Sequence, residues 1–170
     1  GAARLKEVHA QAAQAIERAY PDDPSDEHAL PLAHHLLEAI PLVSAAHAIS
    51  VALRAAKREM QQLGFDGAAS LLDRTVALRD FEAMDVLTRY EVFLTLGLAH
   101  IRSGSHKRGK EACEQAAQIA RNLQDAQRLA QLAELGRGGE GREVAVGRVG
   151  QAQRHRDVAA HQEPEPIGGA

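Results

Sequence analysis

The sequence predicts an all-α fold, a solenoid of about seven helices stacked as hairpins and followed by a disordered C-terminal tail. Three observations predict it. Apolar residues recur at helical rather than strand spacing along most of the chain. Ala, Leu, Gln, Glu and Arg dominate, and such side chains lose little freedom in a helix; Trp is absent, with only three Phe and two Tyr. A pattern of small and bulky residues also returns after about forty positions.

The elements follow in order. From about Arg4 to Ala19, Leu5, Val8, Ala12, Ile16 and Ala19 share one helical face. The stretch YPDDPSDEHA breaks that pattern, and Ser25 or Asp26 is placed to cap the next helix. That second helix carries Leu30, Ala33, Leu37 and Ile40 and ends at Pro41. A third, roughly Ser44 to Leu63, points Ile49, Ala52, Leu53, Ala56, Met60 and Leu63 inward, and Gly64 is expected to close it in a left-handed turn. The fourth, about Asp66 to Leu78, buries Ala68, Leu71, Leu72 and Thr75. The fifth, about Glu82 to Ser103, carries Val86, Tyr90, Phe93, Leu94, Gly97, Leu98 and Ile101. The sixth, about His106 to Leu123, carries Ala112, Cys113, Ala116, Ile119 and Ala120, and a seventh begins near Ala126.

After Leu135 the text changes to glycine-punctuated sequence without leucine or aromatic residues. Such a segment buries too little apolar area to offset its ordering entropy. The expected organisation is an N-terminal helical pair over 1–43, repeats over 44–136 and a disordered or out-of-frame-like tail over 137–170. The first residue is Gly rather than Met, which points to a piece of a longer protein.

The repeat is explicit when AAKREMQQLGFDGAASLLDRTVAL is laid on LGLAHIRSGSHKRGKEACEQAAQI. Ala56 meets Gly97, Phe65 meets His106, Ala68 meets Gly109, Leu72 meets Cys113 and Thr75 meets Ala116, each 41 residues apart. Leu135-Gly136 repeats Leu96-Gly97 as the start of a third, truncated unit. Small residues recur where two helices of a hairpin approach closely, and bulky ones fill the space between units. These positions resemble those of a tetratricopeptide (TPR) protein. Phe93, Leu96, Gly97 and His100 fall on the large, Leu, small and aromatic positions of the motif's first helix. Gly109, Cys113 and Ala116 take the small, aromatic and small positions of its second. Gly109 and Cys113 depart from the usual Ala and aromatic residue; in the first unit Ala52 stands where a bulky residue is usual and Glu59 where Tyr is.

The succession EVHAQAAQAIERAY, DEHALPLAHHLLEA and two long hairpins is similar to the region after the ATPase module in large bacterial signal-transduction ATPases of the STAND class. That resemblance covers about Arg4 to Arg137 and implies a cytoplasmic sensor and interaction arm tied to signalling or transcriptional regulation. A stand-alone TPR adaptor is the alternative.

Candidate chemistry is sparse. GSHKRGKE, Gly104 to Glu111, has the glycine and lysine spacing of a phosphate-binding loop, but Glu111 stands where a hydroxyl would hold Mg²⁺ and a helical pattern precedes it. An inter-helix turn accounts for it better than an ATP-binding enzyme does. His34 and Glu38 share a face next to His35, yet one His and one Glu do not make a zinc site. The acidic run Asp22, Asp23, Asp26, Glu27 lacks the ligand alternation of a calcium loop. Ser103 and Ser105 lie near His100 and His106 without an acidic partner in the sequence. The lone Cys113 excludes an internal disulfide and suits a reducing cytoplasm. A net charge of −3 gives no general attraction for nucleic acid or anionic membrane, no apolar run spans a bilayer, and nothing resembles a signal peptide.

No catalytic residue, cofactor or metal is therefore expected. The TPR resemblance implies a groove lined by first-helix residues: Leu53, Lys57, Met60 and Gln61 from one unit, Leu94, Leu98, Ile101 and Arg102 from the next. This mostly apolar face suits a protein or peptide helix, or another domain of the same full-length chain.

Overall fold

The computed structural model describes residues 1–21, 25–123 and 131–134. The chain divides into two units, Gly1–Asp125 and Ala126–Ala170. In the second, residues 131–134 are helical. The remainder of the expected seventh helix and the tail over 137–170 lie outside the described residues. In the first, the helices are α1 (Ala2–Ala19), α2 (Ala29–Ala39), α3 (Ala45–Gln61), α4 (Phe65–Val76), α5 (Val86–Arg102) and α6 (His106–Asn122), with a 3₁₀ helix at Phe81–Ala83 before α5. Among the described residues the fold is all-α, with no strand.

The repeat offset reappears in the helix boundaries. α3 and α5 are both 17 residues long, and each end of α5 lies 41 positions beyond that of α3 (45 to 86, 61 to 102). α4 and α6 start with the same offset (65 to 106). Both first helices have side-chain caps at equivalent positions. Ser44 Oγ accepts from His47 N at 3.3 Å. Asp85 Oδ1 accepts from Leu87 N at 3.1 Å and Thr88 N at 3.0 Å, and Thr88 Oγ1 donates to Asp85 Oδ2 at 2.6 Å. Each cap satisfies backbone donors that have no partner within the first turn.

The ends match as well. Gly64 N donates to Glu59 O (2.8 Å) and Leu63 N to Met60 O (3.3 Å); 41 positions later Ser105 N donates to His100 O (2.7 Å) and Gly104 N to Ile101 O (3.2 Å). This crossed pair of bonds requires a left-handed residue just past the helix. In the second hairpin it is Gly104, at φ 88°. In the first it is Leu63, at φ 65°, and not Gly64, whose φ is −80°. A Cβ on Gly64 would lie 2.5 Å from Glu59 Oε2, the mobile end of that side chain, and 3.3 Å from Glu59 O.

Successive helices pack on one another from α1 to α6, and α3 also packs on α5. α3 buries Ala48, Ile49, Val51, Ala52, Leu53, Ala55 and Ala56. α4 buries Ala68, Leu71, Leu72 and Thr75 on the face its periodicity marks, together with Ala69. The two helices of the second hairpin approach most closely at Gly97 and Gly109. A Cβ on Gly97 would meet Cys113 Sγ at 2.5 Å, and one on Gly109 would meet Gly97 O at 3.0 Å.

Several expected inward residues turn out to face solvent. Leu5 and Val8 are more than half exposed, and the covered side of α1 instead carries Lys6, His9, Ala13 and Ile16. α2 is the main neighbour of α1, so only a narrow stripe is covered, and the long stem of Lys6 reaches across to donate to Ile40 O at 2.6 Å. Leu30, Leu63 and Val86 lie near helix ends and are exposed. The cap of α2 is His28, whose side chain makes no capping bond, rather than Ser25 or Asp26; Asp26 takes φ 52° and pairs with Arg54 at 3.1 Å. α2 stops at Ala39, before a cis Ile40–Pro41 peptide. α5 starts at Val86 rather than near Glu82, because the 3₁₀ turn carries Phe81 into the core, edge-to-face with Phe93 at 5.4 Å.

Three outcomes are expected from urea denaturation. Gly109→Ala lowers the midpoint, since overpacking of about 1–3 kcal/mol against fixed backbone outweighs the roughly 1 kcal/mol gained by removing a helical glycine. Gly67→Ala raises it, because the nearest atom to its new Cβ is the mobile end of Glu59 at 3.1 Å. Leu63→Gly, which relieves about 1–2 kcal/mol of left-handed strain and returns part of it as unfolded-state entropy, is expected to be stabilising.

Candidate interaction surface

The eight residues expected to line a groove fall into three groups. Leu53 is buried in the core beneath α3. Ile101 is turned into its own hairpin, where its Cγ1 would lie 2.6 Å from a Cβ on Gly109. Met60, Leu94 and Leu98 are half-buried, Met60 against the core. Lys57, Gln61 and Arg102 are exposed. Lys57 Nζ meets Glu91 Oε2 at 2.6 Å and ties α3 to α5, while the Arg102 guanidinium lies 5.5 Å from the centroid of Phe65 at the start of α4. The remaining apolar surface is thus Leu94 and Leu98, one turn apart on α5, with Leu87 exposed two turns earlier.

A polar junction that the sequence did not reveal joins α4, α5 and α6. His100, almost fully buried, places Nε2 3.2 Å from Asp73 Oδ1, and Arg108 Nη2 meets Asp73 Oδ2 at 2.8 Å. The carboxylate accepts both bonds, so Nε2 carries the imidazole proton. A shallow cleft beside it is lined by Ser70, Arg74, Ser103 and Ser105. Ser103 Oγ donates to the His100 carbonyl at 3.2 Å rather than to the imidazole, so a Ser–His–Asp relay is not assembled. One carboxylate thereby holds the first hairpin to both helices of the second. Its residues lie 27 and 35 positions apart (73, 100, 108), and no local pattern announces such a link.

The phosphate-loop pattern is divided between two kinds of structure. Gly104 and Ser105 form the turn, and from His106 onward the segment is α6. Gly109 N donates to Ser105 O at 3.0 Å, which commits to the helix an amide that would otherwise face phosphate. Lys110 is exposed and lies 3.9 Å from Glu114. His34 and Glu38 go separate ways. Glu38 pairs with Arg74 of α4 at 2.5 Å, and His34 joins His35 and His9 of α1. Among the described residues no group of three His, Cys, Asp or Glu has the arrangement to hold a metal ion. Asp22 and Asp23 lie outside the described residues. Among those described, no helix is long and apolar enough to cross a membrane.

Comparison with known proteins finds no matching family model, curated protein or solved structure.

Cys113 sits half-buried on α6 against Gly97. Burial, and secondarily the charge of Glu114, pushes its thiol above the ordinary value of 9.0. Its thiolate is therefore scarce at neutral pH. Its reaction with an aromatic disulfide reagent is expected to run severalfold slower in the folded protein than in urea, and to keep accelerating as pH rises beyond the ordinary thiol range.

Proposed function

We propose that this chain is a non-catalytic interaction module, the TPR-like arm of a bacterial signal-transduction ATPase or transcriptional regulator working in the cytoplasm. The single observation that carries the reading is that the second hairpin repeats the first one's first-helix boundaries, N-cap, closing turn and second-helix start at a 41-residue offset. Stacked units of this kind present a continuous side surface built from their first helices. On that surface the half-buried Leu94 and Leu98 offer apolar contact, and Lys57, Gln61 and Arg102 form its polar rim. A partner helix, from another domain of the same full-length protein, seats its apolar face on the two leucines. A ligand then acts by changing how the arm packs on the ATPase. Against the stand-alone adaptor, the regulator reading is supported by the helical pair that precedes the repeats.

Sequencing the DNA on either side of this reading frame tests the proposal: an in-frame P-loop ATPase upstream is the expected result. With that domain expressed separately, Leu94→Asp combined with Leu98→Asp is expected to weaken its association with the arm by about tenfold or more, about 1.4 kcal/mol. Absence of an upstream ATPase would leave the adaptor. ATP affinity of this chain that disappears in Lys110→Ala would overturn the non-catalytic reading.

A further inference from the structure

Three imidazoles meet where α1 lies on α2. His9 Nδ1 is 2.9 Å from His35 Nδ1. The His9 ring lies 5.1 Å from that of His35 and 5.7 Å from that of His34, and those two are 5.6 Å apart. An Nδ1···Nδ1 bond needs one protonated and one bare nitrogen. The pair therefore accommodates at most one extra proton; a second turns the acceptor into a donor and leaves two N–H groups head to head.

Apolar anchoring of α1 is thin. Ala13 is its fully buried residue, and Ile16 packs partly against the core. From these observations we propose that protonation of the His9–His34–His35 cluster undocks α1 from α2, making the first helix an acid-sensitive latch. This device is independent of what the α5 surface binds.

The surrounding charges do not neutralise such a cluster. On α1, Lys6 adds a cation whose Nζ is bonded to Ile40 O. On α2, Glu38 is occupied by Arg74 of α4. On α3, Arg54 pairs with Asp26, Lys57 with Glu91, and Arg58 donates to Ser25 O. His47 of α3 meets Glu17 of α1 at 2.6 Å, and protonation of His47 strengthens that pair, so it opposes release. Among the described residues no carboxylate is hydrogen-bonded to His9, His34 or His35.

The direction follows from His35. Burial first, then the charges of His9 and His34, hold its imidazole below the ordinary value of 6.5. A group so depressed binds protons more readily once released, so the docked form is favoured above that value and loses ground as pH falls through it. An undocked helix of 18 residues is marginal in water, so its backbone amides then exchange freely.

Hydrogen exchange of the full chain at about pH 7.5 and about pH 5.5, corrected for intrinsic rates, tests this; protection of residues 2–19 is expected to fall severalfold, while α5 and α6 keep theirs. The double change His9→Gln, His35→Gln is expected to flatten the difference. If that variant loses α1 protection already at the higher pH, His34→Gln, at an exposed position outside the Nδ1 pair, takes its place and is expected to shrink the drop. Unchanged α1 protection at both pH values, a parallel loss in α5 and α6, or a drop that survives the histidine changes would overturn the proposal.

Discussion

Two helices of a hairpin can share a core only if their backbones come close enough for side chains on the flanks to meet. Here that distance is set by residues with little or no side chain. In the second hairpin a Cβ at either Gly97 or Gly109 would run into the opposite helix. In the first, the equivalent positions are Ala56 and Ala68, both fully buried. The close crossing then fixes which residues fall between hairpins. Leu72, Val92, Leu96 and Ala99 occupy that layer, and the Asp73 carboxylate with its two cationic or imidazole partners closes it at one side. A network of this kind specifies a relative placement of helices more than it adds stability, because a buried polar group left without its partners is costly.

The Asp85 cap illustrates how local and tertiary requirements agree. Its carboxylate, held below the ordinary range chiefly by bonds from the Thr88 hydroxyl and amide, ends the irregular stretch after Phe81 and starts α5 at a definite residue. Because α5 starts there, Tyr90, Val92 and Leu96 reach the core in register with their counterparts on α3. Consistency of this sort between caps and packing is what gives one sequence one fold.

Much of this was legible in the sequence. The repeat offset, the identity of the six helices and the inward faces of α4 and α6 follow from periodicity and from small residues at matched positions. What was not legible depends on neighbours. The apolar stripe of α1 reads as Leu5 and Val8, yet a helix covered chiefly by one other helix buries a narrower strip, and Lys6 and His9 lie within it. Glycine looked like the natural left-handed residue at the end of α3, but the crossed bonds that close the helix put that conformation on Leu63, one position earlier. His100, Asp73 and Arg108 come from three helices, and nothing within a helical turn of any of them signals the others. Leu53 already fell on the inward face of α3 by periodicity, whereas the inward turn of Ile101 depends on how closely α5 and α6 approach at Gly109.

The matching boundaries of α3 and α5 have an evolutionary consequence. Everything that defines one hairpin, from the capping side chain to the crossed bonds after the first helix, lies within a stretch that begins at Ser44 and is complete before its successor begins at Asp85. An in-frame duplication or deletion of 41 codons cut anywhere in this interval would rejoin equivalent residues and leave caps and turns intact. The gene can lengthen or shorten its array in whole steps, and copy number becomes a heritable variable that selection can adjust without redesigning a single helix.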